Sequence, residues 1–118
     1  MSVSEYAFSE KTLLSILNAI DEGISLVKLD GTIIEANNAV LNLHGVSRDE
    51  YVGRQLEYFV APQDRQQFRE CMQLVLSKET IRSEIKALRR DRTTFLAEIT
   101  ASLLPNDSEK PYAIVGII

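Results

Sequence analysis

The hydrophobic period of this chain changes several times, and each change marks an element. After Ser9, apolar residues recur at helical spacing as Leu13, Leu14, Ile16, Leu17 and Ile20, so a helix capped by Ser9 is expected to run to about Ile20. Glu22-Gly23 ends it. The chain then alternates over residues 24–29, turns at Asp30-Gly31 and returns over residues 32–36, the pattern of a β-hairpin. A two-residue turn there needs positive φ, which Gly supplies freely and Asp tolerates. Asn37 or Asn38 reads as the N-cap of a short helix over about residues 38–44, stopped by Gly45. Ser47, followed three residues later by Glu50, has the form of a capping box, and Gly53 stops the helix it opens at about residue 52.

Pro62 suits the first turn of a longer helix, where its missing N–H costs nothing, and Asp64 adds favourable charge near the positive end of the dipole. The apolar face of that helix is Phe68, Met72, Leu74, Val75 and Leu76. At Ile81 the period becomes two, with Ile81, Ser83, Ile85 and Ala87 on one face and Arg82, Glu84 and Lys86 on the other. The next strand places Phe95, Ala97, Ile99, Ala101 and Leu103 inward and Thr94, Leu96, Glu98, Thr100, Ser102 and Leu104 outward. Residues 105–111 are a loop by composition, and residues 112–118 form an almost wholly apolar strand, as one covered on both faces would require. Helix, two strands, several helices and three strands make an α+β domain with its helices gathered on one side of an antiparallel sheet.

A length of 118 residues is that of one domain able to bury its own core. Composition is ordinary for a globular protein, 45% hydrophobic and 25% charged, and no apolar run approaches the ~20 residues of a membrane span. The start, Met1-Ser2-Val3-Ser4-Glu5-Tyr6, lacks the basic and apolar blocks of a secretory signal, so a cytoplasmic location is expected. Asn106-Asp107-Ser108 fits a glycosylation pattern, which without a signal reads as a loop. A net charge of −4 without a basic stripe argues against nucleic acid as a partner. The one dense cluster of cations, Arg89, Arg90 and Arg92, reads as a solvated hairpin tip.

Candidate chemistry is sparse. The single histidine, His44, and the single cysteine, Cys71, do not make a zinc site, which usually takes four ligands. They read instead as a partly buried residue near a helix end and an apolar filler on the long helix. Asp21-Glu22 and Asp49-Glu50 lie at helix boundaries as solvated or capping groups, and the five glycines make no phosphate loop. No catalytic or metal-binding constellation is expected, and the fragment is read as not an enzyme.

Four segments occur in a telling order. They are Leu29-Asp30-Gly31-Thr32-Ile33-Ile34-Glu35-Ala36-Asn37-Asn38-Ala39-Val40, Leu43-His44-Gly45-Val46-Ser47-Arg48-Asp49-Glu50-Tyr51-Val52-Gly53-Arg54, Ala61-Pro62-Gln63-Asp64-Arg65 and Arg89-Arg90-Asp91-Arg92-Thr93-Thr94-Phe95. Together they resemble the PAS domain family over roughly residues 13 to 118. The resemblance implies a profilin-like, five-stranded antiparallel sheet with helices on one face, the last strand lying centrally beside the first. It also implies a core domain over 23–118 preceded by a flanking amphipathic helix within 1–22. At Arg92 the chain departs from the family, which usually has glycine there.

PAS domains bind a small molecule or cofactor between sheet and helices and pass the change to an attached output domain. The resemblance thus implies a bacterial sensor of signal transduction, as in two-component systems, whose parent carries a histidine kinase or nucleotide cyclase. The family commonly continues past Gly116-Ile117-Ile118 into a helical linker, so a fragment cut before that linker is expected. The cofactor is unknown. The family's flavin-reactive cysteine falls at Leu56 in Gly53-Arg54-Gln55-Leu56, and its haem-binding histidine falls at Phe68, so neither a covalent flavin adduct nor haem is expected.

By alternation, Ser83, Ile85, Ala97 and Ile99 face the cavity, with Phe59, Phe68 and Met72 closing it from the helical side; the same residues could equally be an ordinary filled core. Leu13, Leu17 and Ile20 on the first helix, with Leu88, Leu96, Leu104 and Tyr112 on the sheet's outer face, form a candidate homodimer contact. The alternative is that the helix folds back on its own sheet. An interaction module with a filled core and a small enzyme on a similar layout are the competing functional readings.

Overall fold

A computed structural model describes residues 9–105, 108 and 110–118. The opening segment Met1-Ser2-Val3-Ser4-Glu5-Tyr6 and Asn106 of the glycosylation pattern lie outside the described residues. The elements are α1 (Glu10–Asn18), β1 (Ile24–Lys28), β2 (Ile33–Ala36), α2 (Asn38–His44), α3 (Arg48–Tyr51), 3₁₀ turns at Leu56–Phe59 and Pro62–Asp64, α4 (Arg65–Leu76), β3 (Ile81–Leu88), β4 (Thr94–Pro105) and β5 (Pro111–Ile117). The strands form one antiparallel sheet in the order β2-β1-β5-β4-β3, with the last strand beside the first. Val27 and Ile114 on the sheet pack with Val40, Tyr51, Phe59 and Val75 from the helical layer to form the core.

Local chemistry explains the helix starts. Ser9 Oγ accepts from the Thr12 amide, Asn37 Oδ1 from the Val40 amide, and Ser47 and Glu50 close a reciprocal capping box. Asn37, not Asn38, is therefore the cap of α2. Its amide nitrogen donates to the carbonyls of Leu17 (3.0 Å) and Glu22 (2.8 Å), and its oxygen also accepts from Ile24 N (2.9 Å), so one fully buried side chain ties the end of α1 to β1 and α2.

The turns depart from expectation. Asp30-Gly31 is not a two-residue turn: Gly31 N donates to Lys28 O and Lys28 N to Thr32 O, closing a three-residue loop in which Gly31 takes φ 93°. The β3–β4 hairpin repeats that geometry, with Arg92 N donating to Arg89 O and Arg89 N to Thr93 O. In both loops an aspartate, Asp30 or Asp91, accepts from the amide two residues on. The left-handed position that Gly31 fills in the first loop is held in the second by Arg92, at φ 74°. A residue with a Cβ pays steric strain there. Arg92→Gly is therefore expected to stabilise the domain by about 0.5–1 kcal/mol after allowing for the freedom glycine gains when unfolded. A higher urea midpoint at unchanged slope would register the gain.

Connecting segments cover stretches of both sheet edges. Arg54 O accepts from Ile33 N along β2, while Ala61 N donates to Lys86 O and Asp64 Oδ2 accepts from Lys86 N along β3. Asp64 thus serves the sheet, because Pro62–Asp64 forms its own 3₁₀ turn ahead of α4 and is not the first turn of that helix. On α4, Phe68 and Val75 are buried, whereas Leu74 and Leu76 face solvent, contrary to the apolar face read from spacing.

Three further expectations are corrected. Helix α1 does not fold back onto the sheet: none of its residues is buried, and Leu13, Ile16 and, just beyond its end, Ile20 are exposed. Leu88, placed on the outer face by alternation, is buried, its carbonyl bonded to His44. Central β5 is not covered on both faces, since Val115 and Ile117 remain half-exposed on the side away from the helices. Among the described residues no helix is long and apolar enough to cross a membrane.

Candidate functional site: an apolar cavity between sheet and helices

The inner face of the sheet and the helical layer do not close completely. They leave a cavity of about 60 Å³. Alternation supplies its floor: Ser25 and Val27 from β1, Ile81, Ser83, Ile85 and Ala87 from β3, Ile99 and Ala101 from β4, and Ile114 and Gly116 from β5. The roof is Leu56, Phe59 and Val60 from the connecting segment and Phe68, Cys71, Met72 and Val75 at helical spacing on α4, with His44 and Tyr51 also on the wall.

Six residues named from the sequence, Phe59, Phe68, Met72, Ser83, Ile85 and Ile99, stand on this wall. Ala97 does not. It is buried on the same face of β4, but its methyl is short and pairs directly opposite Ile85, which does reach the space. Sequence reasoning missed Ser25, Val27, Ile114 and Gly116, which the period-two pattern of β1 and β5 could have supplied, and Cys71, three residues after Phe68 on α4. It also missed His44 and Tyr51, for which no local signal exists, because they arrive from α2 and α3.

Polar groups on the wall spend their hydrogen bonds on the protein. Ser25 Oγ and Tyr51 Oη lie 2.8 Å apart, Ser83 Oγ accepts from Gln67 Nε2 at 2.9 Å, and His44 Nδ1 is 2.8 Å from the Leu88 carbonyl. A carbonyl only accepts, so Nδ1 of His44 carries the proton. Among the described residues no buried side-chain nitrogen or oxygen lacks a partner. Burial pushes the Tyr51 hydroxyl up to about 12, against the smaller opposing effect of Ser25, so the phenol is neutral. Burial also pushes His44 below its ordinary 6.5; the Leu88 carbonyl opposes this and Arg89 reinforces it. The wall is therefore uncharged and nearly all hydrocarbon, and it suits small apolar matter.

The histidine makes a stability prediction. Its folded pKa is depressed, so its contribution is full above the unfolded value near 6.5 and is lost as pH falls from there towards the folded value. Asp30, Glu50, Glu57 and Asp91 are held low chiefly by hydrogen bonds from Thr32, Ser47, Arg69 and Thr93, and their contributions fade only below their ordinary 3.8 to 4.5. With one histidine in the chain, unfolding free energy between pH 7 and 5 should fall with pH by at most about 1.4 kcal/mol per unit. Urea titrations across that window, alongside the imidazole proton resonance, check it; a flat profile contradicts it.

The profile described as PAS domain matches residues 21–118. The chain belongs to the PAS domain family. Its fold agrees with that of the PAS domain of a protein from Colwellia psychrerythraea, at TM-score 0.81 and 19% identity over 91% of this chain and 92% of that one. A domain of a sensory box sensor histidine kinase/response regulator from Geobacter sulfurreducens superposes at TM-score 0.76 and 20% identity, over 91% and 90% of the two chains. The PAS domain of an HTR-like protein from Haloarcula marismortui gives 0.72 and 24%, over 91% and 87%. At such identities the likeness is one of fold. No curated protein matches the chain.

Within this PAS domain, Leu56 and Phe68 both stand on the cavity wall. They present hydrocarbon where a flavin-reactive thiol or a haem-binding imidazole would be needed, and about 60 Å³ is room for a few heavy atoms, not for a fused-ring cofactor. The residues present do not fit haem or a flavin adduct. Among the described residues no three His, Cys, Asp or Glu side chains converge as a metal site.

Proposed function

We propose that this PAS domain is a non-catalytic sensory module whose cavity takes a small, uncharged, apolar molecule and whose occupancy biases an attached output domain, such as a histidine kinase or nucleotide cyclase. One observation carries the ligand class: the wall is almost wholly hydrocarbon, and its hydroxyls and the Nδ1 of its imidazole each already have a partner within the protein. A charged or strongly polar ligand would lose its water and find too few partners to replace it. In this reading the protein is cytoplasmic and bacterial, with no nucleic-acid or membrane contact by the domain.

Native mass spectrometry and an absorbance spectrum of freshly purified protein, followed by a xenon titration monitored by NMR, test the reading. A small apolar mass released on denaturation, or saturable shifts at Ile85, Ile99 and Met72 methyls, supports it. A coloured protein releasing haem or flavin overturns the ligand class. A colourless protein that binds no xenon favours an interaction module with a filled core.

A second copy of the chain is the partner this reading assigns to the exposed apolar surfaces. Leu13 and Ile20, with half-buried Leu17, form one, and Leu96 and Tyr112, with half-buried Leu104, form another on the sheet. Two copies related by a twofold axis can bury both surfaces against each other. The double variant Leu13→Glu, Leu17→Glu should be monomeric by sedimentation where the wild type is dimeric; a monomeric wild type ends the proposal.

A further inference from the structure

Beside the β3–β4 turn lies a second concave space, a cleft of about 110 Å³ whose chemistry is the opposite of the cavity's. Arg89, Arg90 and Arg92 reach it from the turn, and Arg54 joins them from the segment after α3, with Glu50 as the carboxylate on the wall. Four guanidinium groups against one carboxylate concentrate positive charge at one place on a chain whose net charge is −4.

The four cations are unequally engaged. Arg89 packs on the Phe95 ring and donates to Thr93 and Thr94, and Arg90 pairs with Glu50 at 3.3 Å. Arg54 lies over the Tyr58 ring, 5.9 Å from its centroid; among the described residues no carboxylate is in salt-bridge contact with it, and its charge acts on Glu50 only at longer range. The Arg92 side chain has no hydrogen bond or ion pair to any described residue. It also holds the one position in the turn where glycine would relieve strain, as Gly31 does in the equivalent turn of the β1–β2 hairpin. Strain retained at a free cation in a concave, positively charged site points to use of that side chain.

We propose that this cleft binds a compact oxyanion carrying two or more negative charges, a phosphoryl group or a small polycarboxylate. Arg54 and Arg92 supply the uncommitted forks for it, since planar guanidinium groups grip such oxygens in pairs. Arg90 exchanges Glu50 for the ligand, and Glu50 keeps its capping bonds to Ser47 while it does so. The site is separate from the apolar cavity in chemistry, though Phe59 borders both spaces.

NMR titration of backbone amides with inorganic phosphate and with citrate, each against sodium chloride at matched ionic strength, tests the assignment. Saturable shifts confined to the amides of Arg54, Arg90, Arg92 and Thr93 are expected. Response to phosphate alone identifies a phosphoryl ligand, and response to citrate alone a polycarboxylate. Arg92→Gly, which relieves strain and so folds at least as well, should weaken binding about fivefold to tenfold; Arg92→Lys should fall between it and the wild type. Shifts that follow ionic strength equally in all three salts, or an Arg92→Gly variant that binds as the wild type does, overturn it.

Discussion

Asn37→Asp should destabilise the domain by about 3–5 kcal/mol at neutral pH, although the two residues are nearly interchangeable as helix caps. The oxygen that caps α2 survives the change. The amide nitrogen does not, and in its place a carboxylate oxygen would face the carbonyls of Leu17, Ile20 and Glu22 in a site with no exposure to solvent. A buried charge against unpaired acceptors costs far more than a lost cap. Set against the 5–15 kcal/mol typical of whole domains, the loss leaves a marginal protein. The sign of the pH dependence separates charge from shape. The folded state would raise the new carboxyl's pKa, so the deficit should shrink as pH falls from that raised value towards the unfolded value of about 4, where its charged part is relieved. Urea unfolding at pH 7 and pH 4 measures both quantities. A variant as stable as the wild type would mean that the bonds from the amide nitrogen contribute nothing.

The second large effect falls on the cavity. Ala101→Leu should abolish xenon binding while the fold survives. Ala101 stands on the wall between Ile81 and Gly116 in the strand register, and Gly116 leaves room for the added carbons. Added methylenes gain burial at about 0.8 kcal/mol each and risk strain of about 1–3 kcal/mol, so stability should change little in either direction. Ala97, the position the strand pattern alone recommends, is the useful contrast. It lies off the wall, and enlarging it should strain β3 and β4 packing without a matching loss of the ligand space. Undiminished xenon affinity in Ala101→Leu would show that the bound atom sits elsewhere.

His44 lines the cavity, its ring donates to the Leu88 carbonyl, and its own carbonyl accepts from the Arg90 amide at 2.9 Å. Asn37, at the other end of the same short helix, holds the last turn of α1. Helix α2 therefore touches the cavity, the β3–β4 turn and the helix that flanks the core.

Most elements were legible because their causes are local. A cap and the helix it opens are separated by three residues, and a strand declares its inner face every second residue, so Ser9, the Asn37-Asn38 pair, Ser47 and the alternation from Ile81 to Ala87 could be read in place. The sheet order, with β5 beside β1, came from family resemblance, since no local pattern states which strands pair. What remained for the tertiary structure concerned distance and reach. Whether a turn closes over two residues or three depends on strand twist as well as on Asp30-Gly31. Leu88 is buried at the end of β3, where α2 also brings His44 to its carbonyl, and Leu74 and Leu76 are exposed because α4 shows the sheet only one narrow face. Ala97 faces inward yet lies off the cavity wall, whereas Ala101, four residues on, stands on it. Arg54 meets Arg92 only because the segment after α3 runs past the β3–β4 turn. Sequence determined which faces exist, through periods and caps that act over a few residues; the folded chain alone decided which side chains on those faces share a space, because that depends on partners far apart along the chain.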